Sequence, residues 1–315
     1  MDKYNSIDHF SDSNQLPTVV TIGTFDGVHL GHQYVLKQLI NHAQKDNLKT
    51  VLLTFYPHPR IVLQNNSQIK LLNTQEEKLL RLSQLGIQTV ITHPFSLEFS
   101  RLSAQEFVED ILVKKINVKK IIIGYDHRFG KNRTSTVDDL IKLGKQYHFE
   151  VIQISAQEID HISVSSTKIR KALDLGNIPL ANSYLGYRYL LSGKVTQGKG
   201  TGKTIGFPTA KIKLTEPLKQ LPLKGVYFIQ SQIENKTQYG MLNIGYNPST
   251  SMLDKLSIEV HFFNFTKELY HQELSIEFIS RIREEINFPS IKELKNQLTK
   301  DMNQCLSMIT HAKKD

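Results

Sequence analysis

Two histidines, His29 and His32, stand three residues apart in the glycine-rich stretch Thr18–Gln33, which reads TVVTIGTFDGVHLGHQ. The β-branched residues at its start predict a buried strand, and the apolar spacing after Gly31 predicts a helix. Both histidines are therefore expected at a helix N-terminus, where free N–H groups and the helix dipole attract phosphate. The pattern predicts an anion site faced by two imidazoles. A turn with one surface histidine and one packed histidine is the simpler alternative.

Three further groups of polar residues follow predicted strands in the first half of the chain. Thr54–Pro59 reads TFYPHP, and its two prolines fix a loop that displays an aromatic ring and a histidine. Gly124–Arg133 reads GYDHRFGKNR and brings three cations to the end of a strand. Ser165–Arg170 reads SSTKIR, in which hydroxyls cap a helix and Arg170 offers a fork of donors to a phosphate. A rigid turn, a solvated basic loop and an ordinary helix cap are the alternatives.

The second half of the chain carries a different apparatus. Gly193–Ala210 contains five glycines and three lysines, so its backbone amides can surround phosphates while the lysines act as point charges. A flexible hairpin is the alternative. Glu259 lies on a predicted strand with two different faces, where it serves either as a base for a primary hydroxyl or as a solvent-facing carboxylate.

These residues need two kinds of domain to position them. A chain of 315 residues exceeds the usual size of one core. Before residue 185, strands alternate with helical patterns, which predicts a parallel sheet covered by helices. After residue 188 the strands follow one another up to an amphipathic helix from Ser290, which predicts a closed β-barrel with a C-terminal helix. The predicted domains are residues 1–184 and 185–315.

Composition narrows the class of protein. The chain is 39% hydrophobic and 22% charged, without an apolar run of the ~20 residues that a membrane helix needs. Residues 1–16 lack the features of a signal peptide, and Cys305 is the only cysteine, so we expect a cytoplasmic protein without an intrachain disulfide. The net charge of +9 suits anionic small molecules, and no recognisable nucleic-acid-binding pattern concentrates it. The oligomeric state is left open.

Several motifs resemble one known family. The string GTFDGVHLGH resembles the signature of the HxGH nucleotidyltransferases, and its Phe25-Asp26-Gly27 form is similar to the FAD synthetase branch of the bacterial bifunctional riboflavin kinase/FMN adenylyltransferases. The GYDHRFG loop is similar to the family's G-x-D-F-x-F-G loop, with His127 in a Phe position. The SSTKIR string resembles I-S-S-T-x-x-R. In the second half, GFPTA and the IEVH string around Glu259 resemble riboflavin kinase motifs.

The resemblance implies an α/β nucleotidyltransferase domain that forms FAD from FMN and ATP, and a barrel domain that phosphorylates riboflavin with Mg²⁺ and ATP. The residues with implied catalytic roles are His29, His32, Arg170 and Glu259. Those implied to bind ATP in the first domain are Gly23, Phe25, Asp26, Gly31, Asp126, Ser165, Ser166 and Thr167. Those implied to bind flavin there are Phe55, Pro57, His58 and Pro59. Those implied to bind ATP in the barrel are Gly198, Gly200, Lys203, Gly206, Pro208 and Thr209, of which Thr209 also binds the metal.

Three positions depart from the family's pattern in the barrel half. Lys211 follows the PTA string where the family usually has Asn, and a protonated lysine cannot coordinate a metal. Asn264 replaces an Asp, and His271 follows Tyr where Gly is usual. Two alternatives therefore stay open. One is an FAD synthetase whose barrel binds flavin without phosphorylating it, and the other is a flavin-responsive binding protein that contacts RNA or a protein partner.

Overall fold

A six-stranded parallel sheet covered by helices forms the first of two units into which the chain divides. The computed structural model describes residues 1–13, 16–64, 69–125, 127–155, 164–197, 201–246 and 256–312. The first unit comprises Met1–Leu71 and Gln75–Ser166, and the second comprises Leu72–Thr74 and Thr167–Asp315. The predicted domain boundary at residues 184 and 185 stays a prediction.

The strands of the first unit lie in the order β1-β4-β3-β2-β5-β6, and all neighbouring pairs are parallel. Its strands are β1 Asp2–Tyr4, β2 Thr18–Ile22, β3 Lys49–Tyr56, β4 Thr89–Pro94, β5 Val118–Gly124 and β6 Glu150–Ile154. Its helices are α1 Ile7–Ser13, α2 Leu30–Asp46, α3 Pro59–Gln64, α4 Gln75–Gln84, α5 Ala104–Glu106, which continues as a π-helix over Phe107–Lys115, and α6 Val137–Tyr147. Short 3₁₀ turns cover Phe99–Arg101 and Lys131–Arg133.

The central strands are apolar on both faces because helices cover both sides of the sheet. Val20 and Leu53 pack into one core cluster, whereas Val19 and Leu52 pack into the other. This arrangement confirms the predicted α/β class for the first half. It also brings the carboxyl ends of β2 and β3 to the same edge of the sheet, where ligands of such folds bind.

The first thirteen residues form two elements that were not predicted. Strand β1 pairs with β4 at the edge of the sheet, and Ile7 and Phe10 of α1 are fully buried. Two apolar side chains in seven residues are too few to produce a periodic signal, so only the tertiary contacts reveal this helix.

The second unit contains a closed barrel of six antiparallel strands in the order β10-β11-β8-β7-β12-β9, which confirms the predicted barrel. Its strands are β7 Leu190–Thr196, β8 Ala210–Leu214, β9 Gly225–Ile233, β10 Lys236–Tyr246, β11 Leu256–Phe262 and β12 Glu273–Arg283. Its helices are α7 Ser166–Asp174, which begins at the last residue of the first unit, α8 Ile178–Leu185, α9 Thr201–Thr204 and α10 Ile291–Ala312. The predicted C-terminal helix is α10. Strand β8, in which apolar residues alternate with two lysines, was not predicted.

Side-chain alternation separates the inside of the barrel from its outer face. Ile258 and Val260 belong to the interior core, so Glu259 between them points outward. Helix α10 packs on the outer face near Met241, and its buried Asp301 forms an ion pair with Arg283 of β12 at 2.9 Å. Among the described residues, none of the helices is long and apolar enough to cross a membrane.

Candidate active sites

The loop between β2 and α2 builds the first candidate site from an unusual backbone. Phe25, Gly27 and Val28 have φ values of 48°, 89° and 36°. Residues other than glycine seldom adopt this left-handed region. A Cβ at Gly23 would lie 3.1 Å from the ring of Phe25, so glycine lets this ring pack against the loop. The loop ends at His29, which is the N-cap of α2 and whose Nδ1 accepts a hydrogen bond from His32 N at 3.3 Å.

The two histidine rings are stacked at this helix end, with centroids 3.6 Å apart and planes 16° apart. Gly31 permits this stacking, because a Cβ there would lie 3.3 Å from the His29 ring. Burial, together with the charges of His29 and Lys78, holds the pKa of His32 well below its ordinary value. The buried His32 Nδ1 has no hydrogen-bond partner among the described residues. His32 therefore carries a neutral imidazole whose buried Nδ1 is not used by the described residues.

A lysine that sequence reasoning missed belongs to the same site. Lys78 of α4 is only 7% exposed, and its Nζ donates hydrogen bonds to Thr54 Oγ1 at 3.1 Å and to Thr24 O at 3.3 Å. Burial lowers its pKa from 10.5 to about 8, although the Asp26 carboxylate acts in the opposite direction. The sequence held one signal, because Lys78 stands four residues before the buried Leu82 and therefore lies on the buried face of α4.

The predicted serine motif contributes a contact to the loop. Ser166 Oγ donates a hydrogen bond to Asp26 O at 2.9 Å, so the first residue of α7 fixes the loop next to the histidines. Ser165 precedes it and is half-buried. Thr167 and Arg170 lie further along α7, in the second unit, and their roles in ATP binding and catalysis stay predictions.

The basic loop after β5 is described except for Asp126, the predicted ATP-binding residue, which lies outside the described residues. His127, which replaces a Phe of the family pattern, keeps a ring-to-ring contact. Its ring lies nearly parallel to that of Phe129, with an interplanar angle of 21° and centroids 6.2 Å apart.

The predicted flavin-binding residues follow the end of β3. Phe55 packs against Phe95 and Phe99, with ring centroids 5.5 and 5.6 Å apart. The next peptide bond, Tyr56–Pro57, is cis, and His58 Nδ1 accepts a hydrogen bond from Arg60 N at 3.2 Å. Pro59 is the first residue of α3. An aromatic surface thus lies at the carboxyl end of β3, where a planar ring system can pack.

The second candidate site lies on the outer face of the barrel around Glu259. One carboxylate oxygen accepts a hydrogen bond from Thr209 Oγ1 at 3.4 Å, and the other accepts one from Ser257 Oγ at 3.1 Å. Asn243 of β10 and Lys211 of β8 lie directly opposite Glu259 in the strand register. Glu259 is half-buried and held from two sides, unlike a carboxylate that simply faces solvent.

The described end of the glycine-rich segment, from Thr201 onward, lies next to this site. Gly198 and Gly200 lie outside the described residues, whereas Lys203 is exposed on the short helix α9. Gly206 has a φ of 89°, and the next turn brings Pro208 O to 2.9 Å from Nδ1 of His261 on β11. The end of the loop therefore folds against the strand that carries Glu259, and Thr209 follows directly.

Two of the three departures in this half lie at positions with left-handed backbone. Asn264 and His271 are exposed and have φ values of 53° and 65°. Glycine adopts this left-handed region without strain, and Asn tolerates it. Asn264 therefore suits its position, whereas His271 takes a backbone conformation that the glycine usual in the family would adopt without strain. Lys211 differs, because it lies in the strand register of the site itself.

The donor atoms fit a hard cation only in part. Thr209 and Glu259 offer the oxygen ligands that Mg²⁺ prefers. Within the described part of the chain, no group of three or more His, Cys, Asp or Glu side chains has the arrangement of a metal site. A magnesium ion here would depend mainly on phosphate oxygens and water, which is its usual behaviour with nucleotides.

Comparisons with known proteins assign each half to a class. The model of the FAD synthetase family matches residues 11–168, and that of the riboflavin kinase family matches residues 185–309. The fold and the two sites thus define a flavin-nucleotide enzyme with an α/β nucleotidyltransferase region before a kinase barrel.

Curated relatives combine both regions in one chain. A protein of Buchnera aphidicola subsp. Schizaphis graminum is 41% identical over 90% of this chain and 92% of its own length. One of Listeria monocytogenes is 38% identical over 93% and 92%, and one of Escherichia coli K12 is 35% identical over 94% of each chain. All three are named bifunctional riboflavin kinase/FMN adenylyltransferase. The present chain belongs to this family.

One solved structure covers almost the whole chain. It is described as a macrolide-efflux protein from Streptococcus pneumoniae, is 30% identical, and aligns with a TM-score of 0.85 over 96% of this chain and 98% of its own. The succession of an α/β unit and a barrel is therefore shared with an experimentally determined structure.

Proposed function

We propose that this chain converts riboflavin to FMN in its barrel and FMN to FAD in its α/β unit, with ATP as the donor in both steps. The stacked pair of His29 and His32 at the N-terminus of α2 is the observation that carries the proposal. Both activities appear in the names of all three relatives. This favours a bifunctional enzyme over an FAD synthetase with an inactive barrel and over a flavin-responsive binding protein.

The adenylyl transfer needs positive charge and alignment more than it needs a base. The phosphate monoester of FMN has a second pKa of about 6, so it is mostly a dianion at pH 7 and already nucleophilic. One of its oxygens attacks the α-phosphorus of ATP, a new P–O bond forms, and the bond to the pyrophosphate breaks. The two imidazoles and the N-terminal end of α2 hold the triphosphate and stabilise the negative charge on the leaving pyrophosphate.

The His32 imidazole gains charge when the triphosphate binds. Burial keeps His32 neutral in the free protein, since its pKa lies well below the ordinary value. A triphosphate brings negative charge and hydrogen-bond acceptors, and both favour the protonated imidazole. We also assign ATP-binding roles to the loop glycines, Asp26, Ser165, Ser166 and Thr167, and to Arg170 the role of a bidentate donor to a phosphate.

Phosphorylation of riboflavin makes the opposite demand. A primary hydroxyl has a pKa far above 7, so the reaction gains from a base that takes its proton. We assign this role to Glu259, which Thr209 and Ser257 hold in place. The ribityl oxygen then attacks the γ-phosphorus of ATP, and ADP leaves. When bound, Mg²⁺ neutralises part of the phosphate charge, and Thr209 is the side chain that would hold it.

The remaining assignments concern the ligands and their setting. We assign flavin contact in the first unit to Phe55 and the Pro57–Pro59 turn. In the barrel, we assign ATP binding to Lys203, Gly206 and Pro208. The partners are the small molecules ATP, riboflavin and FMN, and the setting is the cytoplasm, where ATP is plentiful and the single Cys305 stays reduced.

One assay tests both halves. Purified protein is incubated with riboflavin, ATP and Mg²⁺, and the flavins are separated over time. We expect FMN to appear first and FAD to follow, with ADP and pyrophosphate as the respective by-products. If FMN plus ATP yields no FAD and no pyrophosphate, the assignment of the first unit is wrong. If riboflavin plus ATP yields no ADP, the assignment of the barrel is wrong. A parallel sample with EDTA is expected to form neither product.

A further inference from the structure

A buried lysine in the first candidate site has no part in the mechanism described so far. Lys78 is 7% exposed, whereas lysines are almost never fully buried unless they are paired. Taking an ammonium group out of water costs free energy, and an apolar side chain of similar length would fill the same space without that cost. The packing of α4 alone therefore gives no reason for a charge at this point.

The contacts of Lys78 connect two pieces of chain that border the site. Its Nζ donates to Thr54 Oγ1 at 3.1 Å and to Thr24 O at 3.3 Å, and Thr54 Oγ1 donates to the same carbonyl at 3.2 Å. Thr54 lies near the carboxyl end of β3, and Thr24 lies in the loop that leads to the histidines. The lysine thus ties the loop to the sheet.

The charge of Lys78 interacts with two ionisable groups of the site, Asp26 and His32. The Asp26 carboxylate, 7% exposed, favours the charged form of the lysine, and the lysine charge in turn lowers the pKa of His32. His29, stacked on His32, acts on the same ring. The groups that face this charge are therefore Asp26 from the loop and His32 from α2, with Thr54 from β3 as the neutral partner.

We propose that Lys78 is a positioning residue for adenylyl transfer, which holds the Thr24–Asp26 segment against β3 and keeps a fixed positive charge beside the imidazole pair. The inference rests on the proposed function of the first unit. It divides the work of that site, because the His32 imidazole gains charge only when the triphosphate arrives, whereas at neutral pH the lysine is already charged in the free protein. A fixed charge that needs no reorganisation during the reaction is effective in such a site.

The test replaces the ammonium group by a side chain of similar length in Lys78→Met. The kcat for FAD formation from FMN and ATP is expected to fall at least tenfold. Loss of the neighbouring charge is also expected to raise the pH at which His32 titrates, followed by NMR of its imidazole protons. The unfolding temperature is recorded alongside and is expected to fall, because the buried Asp26 carboxylate loses the cation that faces it. Removal of a lysine with a purely structural role would lower the unfolding temperature in the same way but leave the kcat of the folded variant unchanged.

Two controls keep the outcomes distinct. Lys37→Met removes an exposed lysine from α2 and is expected to leave FAD formation within twofold of the wild type. Lys78→Gln removes the same charge with a polar side chain, and it decides the matter if the methionine variant does not fold. Unchanged FAD formation and an unchanged His32 titration in the variant that folds would overturn the inference. Wild-type protein that forms no FAD would instead overturn the proposed function.

Discussion

The two candidate sites are built in different ways on one chain. The first lies in the loop at the carboxyl end of β2, a central strand of the parallel sheet. It consists of left-handed backbone, two stacked rings and a helix N-terminus, and His29 is only 7% exposed. The second lies on the outer face of a barrel, where Ser257 of the same strand and Thr209, just before β8, donate hydrogen bonds to Glu259. The difference follows the chemistry. A phosphate dianion needs charge and alignment, which backbone and rings supply, whereas a hydroxyl needs a carboxylate held in one orientation.

Removal of the two imidazoles gives the largest expected effect and tests whether the two sites act independently. In His29→Ala/His32→Ala, FAD formation from FMN and ATP is expected to fall by about 10³-fold or more, because two donors to the triphosphate disappear together and each is worth roughly 10²–10³. Riboflavin phosphorylation is expected to stay within twofold. Pyrophosphate and ADP release, measured separately, report the two reactions. Undiminished FAD output would refute the role of the histidines.

The reciprocal variant removes the base from the barrel. Glu259→Gln keeps the shape of the side chain and its contacts but cannot take a proton at neutral pH. We expect FMN formation to drop by about 10²–10⁴-fold, the usual contribution of general base catalysis, while FAD formation from added FMN continues. The exposed Glu273 of β12 provides the matched control as Glu273→Gln. Equal kcat values for riboflavin phosphorylation in wild type and Glu259→Gln would show that the carboxylate is not the base.

The smallest expected effect concerns Lys211 and tests what this residue contributes to the barrel site. Lys211→Asn restores the residue that is usual in the family, directly opposite Glu259 in the strand register. Kinase turnover is expected to be preserved or raised, within roughly threefold, because a neutral amide oxygen can join the oxygen ligands of a magnesium nucleotide. Lys213→Asn, an exposed change on the same strand, is the control. A large loss of kinase activity would mean that the lysine itself binds a phosphate.

The sequence predicted those parts of the sites that depend on local spacing. The Gly-rich loop and the apolar stripe of α2 placed His29 and His32 at a helix end, and alternation around Glu259 indicated a strand with two faces. Contacts between distant segments could not be predicted. Lys78 meets Thr24 across 54 positions and Thr209 meets Glu259 across 50, and no periodicity within either segment encodes such a meeting. The edge strand β1 was missed for the same reason, since three residues acquire their conformation from β4.

Strand β1 also has a bearing on how the protein behaves at high concentration. Without β1, the N–H and C=O groups along one side of β4 would be unpaired, and an unpaired edge strand of this kind can pair with strands of other chains. The short segment Asp2–Tyr4, anchored by Ile7 and Phe10, shields that border. A version shortened by its first dozen residues would keep every catalytic group named above. It would also expose the unpaired edge of β4, along which copies of the chain can associate.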